Sequence, residues 1–278
     1  MSASATIRAA DVDAFWRDGA FCVRGAVSAR WVERLRAATD EALAKPGPLA
    51  LAHSADRKSV SELALWSAWP EFRSFVFDSG VSEIARRFLR ARKLNFFFDH
   101  LFVKEPGANA PTQWHQDLPY WPASGTQILS TWVALDPVTL ASGGLEYVRG
   151  SHDWRRFFRP VVFGDSIPAV ERAFESLAGE RIPDIDADRS RYELLSWEMQ
   201  PGDALIHHAL TIHGASGNSS SATRRRGYST RWAGDDARWD PRPGVLEMIP
   251  GPSTLPMPKR PGDLLDSEAF PVISPPSH

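Results

Sequence analysis

Two segments far apart in the chain constrain its fold most. One is Trp114-His115-Gln116-Asp117, and the other is the run 201–214, whose last histidine is His213. On an extended strand residues i and i+2 face the same side. His115 and Asp117 are therefore expected to project an imidazole and a carboxylate into one space. A bare His-x-Asp is common and says little alone. The later run adds a third donor: Pro201-Gly202-Asp203 makes a turn, an apolar strand-like stretch follows, and Gly214 breaks it directly after His213. Two imidazoles and one carboxylate are the ligand set that holds non-haem Fe(II) and leaves coordination positions open for substrates and O2.

Arg224-Arg225-Arg226 follow about eleven residues after His213, on the next strand-like segment. A histidine ending one strand and an arginine opening its neighbour can face the same cavity. That suits an iron site with a dicarboxylate co-substrate, one end chelating the metal and the other paired with a guanidinium. Strand alternation puts Arg225, Gly227 and Ser229 on one face and Arg226, Tyr228 and Thr230 on the other. Bulk after the arginine would occupy the ligand's space, so the small, polar face of Arg225 is preferred, with Arg224 as reserve. His207 shares strand parity with His213 and competes with it for the metal, whereas His208 points away. The segment 94–104 alternates so that Phe98, His100, Phe102 and Lys104 share a face, and Lys104 fits either the co-substrate or the rim of the site.

With these residues in place the chain resembles the phytanoyl-CoA dioxygenase family of Fe(II)- and 2-oxoglutarate-dependent oxygenases. The matching blocks are Phe15-Trp16-Arg17-Asp18-Gly19-Ala20-Phe21, Trp114-His115-Gln116-Asp117-Leu118-Pro119-Tyr120-Trp121, and Thr131-Trp132-Val133-Ala134-Leu135-Asp136. Gly143-Gly144-Leu145-Glu146-Tyr147-Val148-Arg149-Gly150-Ser151-His152 and His213 with its arginines complete the set, spanning roughly 11 to 235. The resemblance implies a β-rich α+β chain whose core is a double-stranded β-helix (a cupin-like jelly roll) with buttressing helices. It implies that His115, Asp117 and His213 are the metal ligands and catalytic centre, and that Trp132 lies against 2-oxoglutarate. Strict family spacing selects Arg224 for the distal carboxylate, whereas the strand face selects Arg225. One departure is Ala215, where the family often has a serine that touches the co-substrate; Ser216 is the nearest substitute. His152 is expected to be a turn residue, and the charged insertion 154–192, with a helix over Ile167 to Leu177, a lid.

The implied reaction uses Fe(II), 2-oxoglutarate and O2 to oxidise, by default to hydroxylate, an unactivated C–H bond of a small metabolite, releasing succinate and CO2. Halogenases of this kind replace the carboxylate ligand with a small residue; Asp117 argues against that chemistry. The rival readings are a non-oxidative cupin-like metal-binding protein and a metal-assisted isomerase or hydrolase.

Composition is compatible with a single domain over residues 1–278: helical support over 11–90, a core over about 94–235, and a proline-rich tail over 240–278. The 278 residues are 43% hydrophobic and 24% charged, enough for a sizeable core. A net charge of −2, with acids and bases interspersed, gives no nucleic-acid surface and no polybasic membrane patch. The N-terminus lacks a signal-peptide pattern and no segment reaches transmembrane length, so a cytoplasmic location is expected. A lone Cys22 excludes an internal disulfide. Eleven tryptophans and 22 prolines point to an aromatic-lined cavity and rigid loops rather than a helical bundle. No feature sets an oligomeric state.

Overall fold

The computed structural model describes residues 6–163, 172, 174, 175, 177, 179–242, 245, 255–258 and 260–273. Helices α1 (Ala9–Asp18), α2 (Ala29–Ala44), α3 (Leu65–Ala68), α4 (Pro70–Asp78) and α5 (Val81–Leu89) fall in the first third. Strands run through β1 (Ala20–Val23), β2 (Ala50–Ala52), β3 (Ser59–Leu63), β4 (Leu94–Lys104), β5 (Thr112–His115), β6 (Ala123–Ser124) and β7 (Ile128–Ala134). They continue with β8 (Leu145–Val148), β9 (Leu194–Ser196), β10 (Ala204–His208), β11 (His213–Ala215), β12 (Arg225–Ala233), β13 (Arg238–Trp239) and β14 (Val272–Ile273).

A large sheet has the order β1-β10-β7-β12-β4-β3-β2, with β14 on β4, and a small sheet the order β5-β11-β8-β9. Neighbouring strands are antiparallel throughout both sheets. Non-consecutive neighbours in both sheets give the jelly-roll arrangement expected from the sequence.

The period-two pattern of the long strands explains the layers. Outward residues Phe96, Leu101, Val103, Leu129, Val133, Tyr228 and Trp232 join one apolar cluster with Phe15, Leu35, Phe72, Phe75, Ile84 and Phe88 of the helices. The helices thus buttress one face of the large sheet. The opposite face carries Arg225, Gly227, Ser229 and Arg231 of β12, beside Lys104, Phe102, His100 and Phe98 of β4. Ser130, Trp132 and Ala134 of β7 flank β12 on its other side. This inner face is polar where the outer one is apolar, so it carries the chemistry.

One sequence expectation changes in detail. The run 201–214 is not one strand: β10 lies in the large sheet and β11 in the small one, with Thr211 N–H bonded back to the His208 carbonyl at 2.9 Å in the crossing. The parity argument linking His207 to His213 therefore does not apply. Asp11 is the third residue of α1 and accepts from the Arg8 backbone N–H at 2.9 Å. His53 lies at the tip of the β2–β3 hairpin, and its half-buried ring bonds Ser61 Oγ at 2.8 Å. The helix expected over Ile167 to Leu177 falls mostly outside the described residues, as does much of the tail. What is described of the tail is mostly turns and bends, ending in β14, which pairs with β4, and Phe270 packs on Phe97 and Trp239.

Gly227 is the tightest point of the inner face. A Cβ there would lie 1.9 Å from Cζ2 of Trp132, because the indole lies directly across the glycine. Gly227→Ala is expected to displace Trp132 and cost about 1–3 kcal/mol of stability through overpacking. Denaturant unfolding checks this, and an unchanged midpoint would mean that the indole moves freely.

Candidate active site

β5 and β11 are adjacent strands of the small sheet, and their register sets His213 directly opposite His115. The two rings lie 4.1 Å apart between centroids. Each ring is fixed in the same way. His115 Nδ1 donates to the Gln113 carbonyl at 2.8 Å, and His213 Nδ1 donates to the Thr211 carbonyl at 2.9 Å. With Nδ1 protonated, each neutral imidazole presents a bare Nε2, the form a metal needs.

Asp117 arrives by a route the alternation argument did not foresee. β5 ends at His115, and Asp117 has a helical backbone (φ −73°, ψ −45°) at the start of a short 3-10 turn, Leu118–Tyr120. The turn still brings its carboxylate to the histidines. Oδ1 lies 3.7 Å from His115 Nε2 and 4.0 Å from His213 Nε2. One potential ligand atom from each residue lies within 4.8 Å of the others, and all three residues are buried. Two nitrogens and one hard oxygen, converging and with their outer atoms occupied, fit a divalent first-row metal.

Asp117 Oδ2 is engaged elsewhere. It accepts from Ser130 Oγ at 2.9 Å and from His207 Nε2 at 3.2 Å. His207 Nδ1 in turn lies 3.2 Å from the Tyr147 hydroxyl, and the Tyr147 ring stacks on His213. His207 therefore sits behind the carboxylate and orients it. Burial pushes the Asp117 carboxyl up, but the neighbouring His115, the hydrogen bond from His207 and the nearby His213 outweigh it and hold the group well below the usual carboxylate range. Burial, reinforced by His115 and His207, drives His213 well below the usual histidine range and keeps it neutral. His208 faces the other side of β10 and donates to the Thr126 carbonyl at 2.7 Å. His152 binds the Trp16 carbonyl at 3.0 Å, remote from the ligand atoms.

The insertion closes over this centre. Gln116, between His115 and Asp117, donates to the carbonyls of Arg156 at 3.1 Å and Leu210 at 2.9 Å, and accepts from Phe158 N–H at 3.0 Å. The Tyr120 hydroxyl bonds both backbone groups of Val161 at 2.7 Å. Phe163 is thereby set edge-on to His115, with centroids 4.6 Å apart, and stacked on Tyr120.

The arginines separate by environment. Arg224 precedes β12 and pairs with Glu105 at 2.8 Å and Asp40 at 3.0 Å. Arg226 points outward to Asp136, also at 2.8 Å. Arg225 points inward, is 3% exposed, and lies with its Cζ 5.6 Å from the Trp132 ring centroid. Its Nε has no acceptor. Burial lowers Arg225 to about 10, with Asp136 opposing the shift. A buried, unpaired guanidinium is costly unless an anion meets it. Lys104 lies across from Arg225 in the register and donates to the Ser216 carbonyl at 2.6 Å. Burial, with the Arg225 charge, brings Lys104 down to about 6. The Ser216 hydroxyl donates outward to the Leu140 carbonyl at 3.0 Å and does not replace the serine missing at Ala215.

The structure thus brings His115, Asp117 and His213 together, sets Arg225, Trp132 and Lys104 on the adjoining inner face, and leaves Arg224 outside. Sequence reasoning missed Ser130, Tyr147 and Arg231. Ser130 and Arg231 share strand faces with Trp132 and Arg225, so extending the alternation along each strand would have found both. Tyr147 lies on β8, whose position beside His213 depends on non-local pairing.

A sequence profile of the phytanoyl-CoA dioxygenase family matches residues 15–227. The chain is 29% identical over 171 residues to a probable alpha-ketoglutarate-dependent hypophosphite dioxygenase of Stutzerimonas stutzeri, a match covering 59% of this chain and 53% of that protein. It is 26% identical over 185 residues to a probable phytanoyl-CoA dioxygenase of Caenorhabditis elegans, covering 64% and 56% respectively. The chain thus spans little more than half the length of these relatives. Among solved structures, the non-heme alpha ketoglutarate dependent epimerase SnoN from nogalamycin biosynthesis superposes with a TM-score of 0.73 at 22% identity, over 95% of this chain and 98% of that one. That likeness bears on the fold. With the profile match covering most of the chain, the sequence blocks and the His-Asp-His centre have one common explanation: the chain belongs to the phytanoyl-CoA dioxygenase family.

Proposed function

We propose that this protein is an Fe(II)- and 2-oxoglutarate-dependent oxygenase that oxidises an unactivated C–H bond of a small molecule. His115, Asp117 and His213 hold the iron, Arg225 holds the distal carboxylate of 2-oxoglutarate, and Trp132 forms the wall beside it. Iron bound there would supply an oxidant made from O2, with 2-oxoglutarate leaving as succinate and CO2 and one oxygen atom left for the substrate. The observation that carries this reading is the buried Arg225 guanidinium, whose Nε has no acceptor among the described residues, on the wall next to the converging His115, Asp117 and His213. A metal-binding protein without oxidative turnover, or a Lewis-acid isomerase or hydrolase, has no use for it. Hydroxylation is the default outcome. The family fold also serves SnoN, described as an epimerase, so the fate of the substrate after hydrogen abstraction is a separate question from the oxidant.

The protein's own groups do four things in this scheme. The Nδ1 bonds to Gln113 and Thr211 fix the ring orientations and aim each Nε2. Ser130 and His207 leave one Asp117 oxygen free for the metal. Arg225 neutralises a carboxylate in a water-poor wall, where a charge-assisted pair is strongest. Phe163, Tyr120 and the adjoining Phe98 and Trp121 screen the reacting centre from solvent.

Three outcomes are expected. Purified protein under air should form succinate from 2-oxoglutarate only when Fe(II) is supplied, at a slow rate without the true substrate and faster with it. No succinate across a broad metabolite library would overturn the reading. Arg225→Ala should raise the 2-oxoglutarate requirement at least ~10-fold, from the loss of about 1.5–3 kcal/mol of charge-assisted bonding. Arg224→Ala should barely change it, because Arg224 is spent on exposed ion pairs.

The third outcome concerns pH. Lys104 is held to about 6 in the free protein. A carboxylate bound beside it favours the ammonium and raises that value, so binding takes up a proton between about pH 6 and the raised value. Affinity for 2-oxoglutarate should therefore be level below about pH 6 and fall as pH rises through that window, by at most about tenfold per unit. Lys104→Met should remove the slope. A wild-type affinity that stays level from pH 6 to 8 would place Lys104 away from the co-substrate.

A further inference from the structure

Among the described residues two arginines are buried, Arg225 at 3% exposure and Arg231 at 5%. The other ion-paired arginines lie nearer the surface, so a buried, unpaired guanidinium is a rarity here that occurs twice, on one face of one strand. Arg231 sits three inner-face positions along β12 from Arg225, opposite Ser130 on β7 and Phe98 on β4. Its Nε has no acceptor, and its one hydrogen bond is a long one, 3.2 Å, from an Nη to the Ser229 carbonyl. Its Cζ lies 4.8 Å from the Phe98 ring centroid and 5.8 Å from that of Phe102. Aromatic faces offset part of the cost of burying a cation but do not replace an anion.

Asp117 and Asp99 are the acids whose charges oppose the effect of burial on Arg231. Asp117 Oδ2 is held by Ser130 and His207 while its Oδ1 faces the histidines, and Asp99 Oδ2 accepts from Trp66 N–H and the Tyr228 hydroxyl. Arg231 forms no ion pair with either. Arg231 is nevertheless at the metal's end of the face, since its partner Ser130 is the residue bonded to Asp117. The two guanidiniums lean towards each other, Arg225 over Trp132 and Arg231 over Phe98 and Phe102. Between them lie Gly227, whose missing Cβ admits the indole, and Ser229, whose buried Oγ has no partner. His100, opposite Ser229, likewise has a buried Nε2 without a partner. Unpartnered polar atoms thus line one track, with a cation at each end and the metal ligands beside one end.

That is the pattern of a dicarboxylate lying along the track. We infer that Arg231 holds the carboxylate at the metal-chelating end of 2-oxoglutarate, so that the co-substrate is clamped by a guanidinium at each end. This rests on the co-substrate reading above and adds to it a second arginine and a polarity: Arg225 for the distal end, Arg231 for the keto-acid end. Arg231 is a binding and positioning residue; it fixes which way the keto acid lies beside the ligands and takes no part in bond making.

Two truncated ligands separate the ends. 4-Oxopentanoate keeps the keto group and distal carboxylate and lacks the chelating one; 2-oxopentanoate keeps the keto acid and lacks the distal carboxylate. Affinities of both, and of 2-oxoglutarate, are measured anaerobically by competition calorimetry on the full-length Mn(II)-loaded protein. Arg231→Gln should weaken 2-oxoglutarate and 2-oxopentanoate by about tenfold or more and leave 4-oxopentanoate unchanged. Arg225→Gln should show the reverse selectivity. Arg231→Lys, which keeps the cation, should recover part of the loss, and it carries the test should the glutamine variant fail to fold. Equal losses for all three ligands, a loss confined to 4-oxopentanoate, or no loss for any would each overturn the assignment. A wild-type protein that binds no 2-oxoglutarate would instead remove the co-substrate reading itself.

Discussion

The site depends on how the Asp117 carboxylate is shared. One oxygen is taken by Ser130 of β7 and His207 of β10, both in the large sheet; the other faces His115 and His213 of the small sheet. A single side chain from a turn thus ties the two sheets together at the point where His115 and His213 converge. A carboxylate free to rotate could present either oxygen or both. Held by two donors on one side, it offers the opposite oxygen in a fixed direction, and the protein bears the ordering cost during folding rather than at each binding event.

The rest of the architecture follows from keeping this arrangement dry and oriented. Helices cover the outer face of the large sheet, so every polar group on its inner face points into the space between the sheets. Burial there works in one direction on every group, pushing Lys104, Arg225, Arg231 and His213 towards their neutral forms. An interior with unpaired cations on one wall and neutral nitrogens beside it is ready for anions and a metal together. Residues 156–163 of the insertion are tied to the metal-ligand segment through Gln116 and Tyr120, so the cover over the site is attached to the element it covers.

Much of this was legible in the sequence where the signal is local. The alternation in 94–104 and 225–232 places Lys104, Arg225 and Arg226 on their observed faces, and Arg225 was preferred to Arg224 because only its face stays small and polar. Reasoning from strand parity failed where the chain changes sheets. His207 and His213 are six residues apart and read as one strand, yet a crossing at 209–212 separates them into different sheets. Alternation predicts Asp117 beside His115, but a 3-10 turn, not a continued strand, brings it there. Tyr147 behind His207 could not be read at all, because its position depends on pairing between segments distant in sequence.

The central claim is that Asp117 is aimed in advance and that His207 aims it without binding the metal. Anomalous diffraction from anaerobic crystals soaked in Mn(II) tests this directly. The account predicts one ion, bonded to His115 Nε2, His213 Nε2 and a single oxygen of Asp117, with the other oxygen still held by Ser130 and His207. An ion bonded to His207, or one gripping both Asp117 oxygens with those two hydrogen bonds broken, would contradict it.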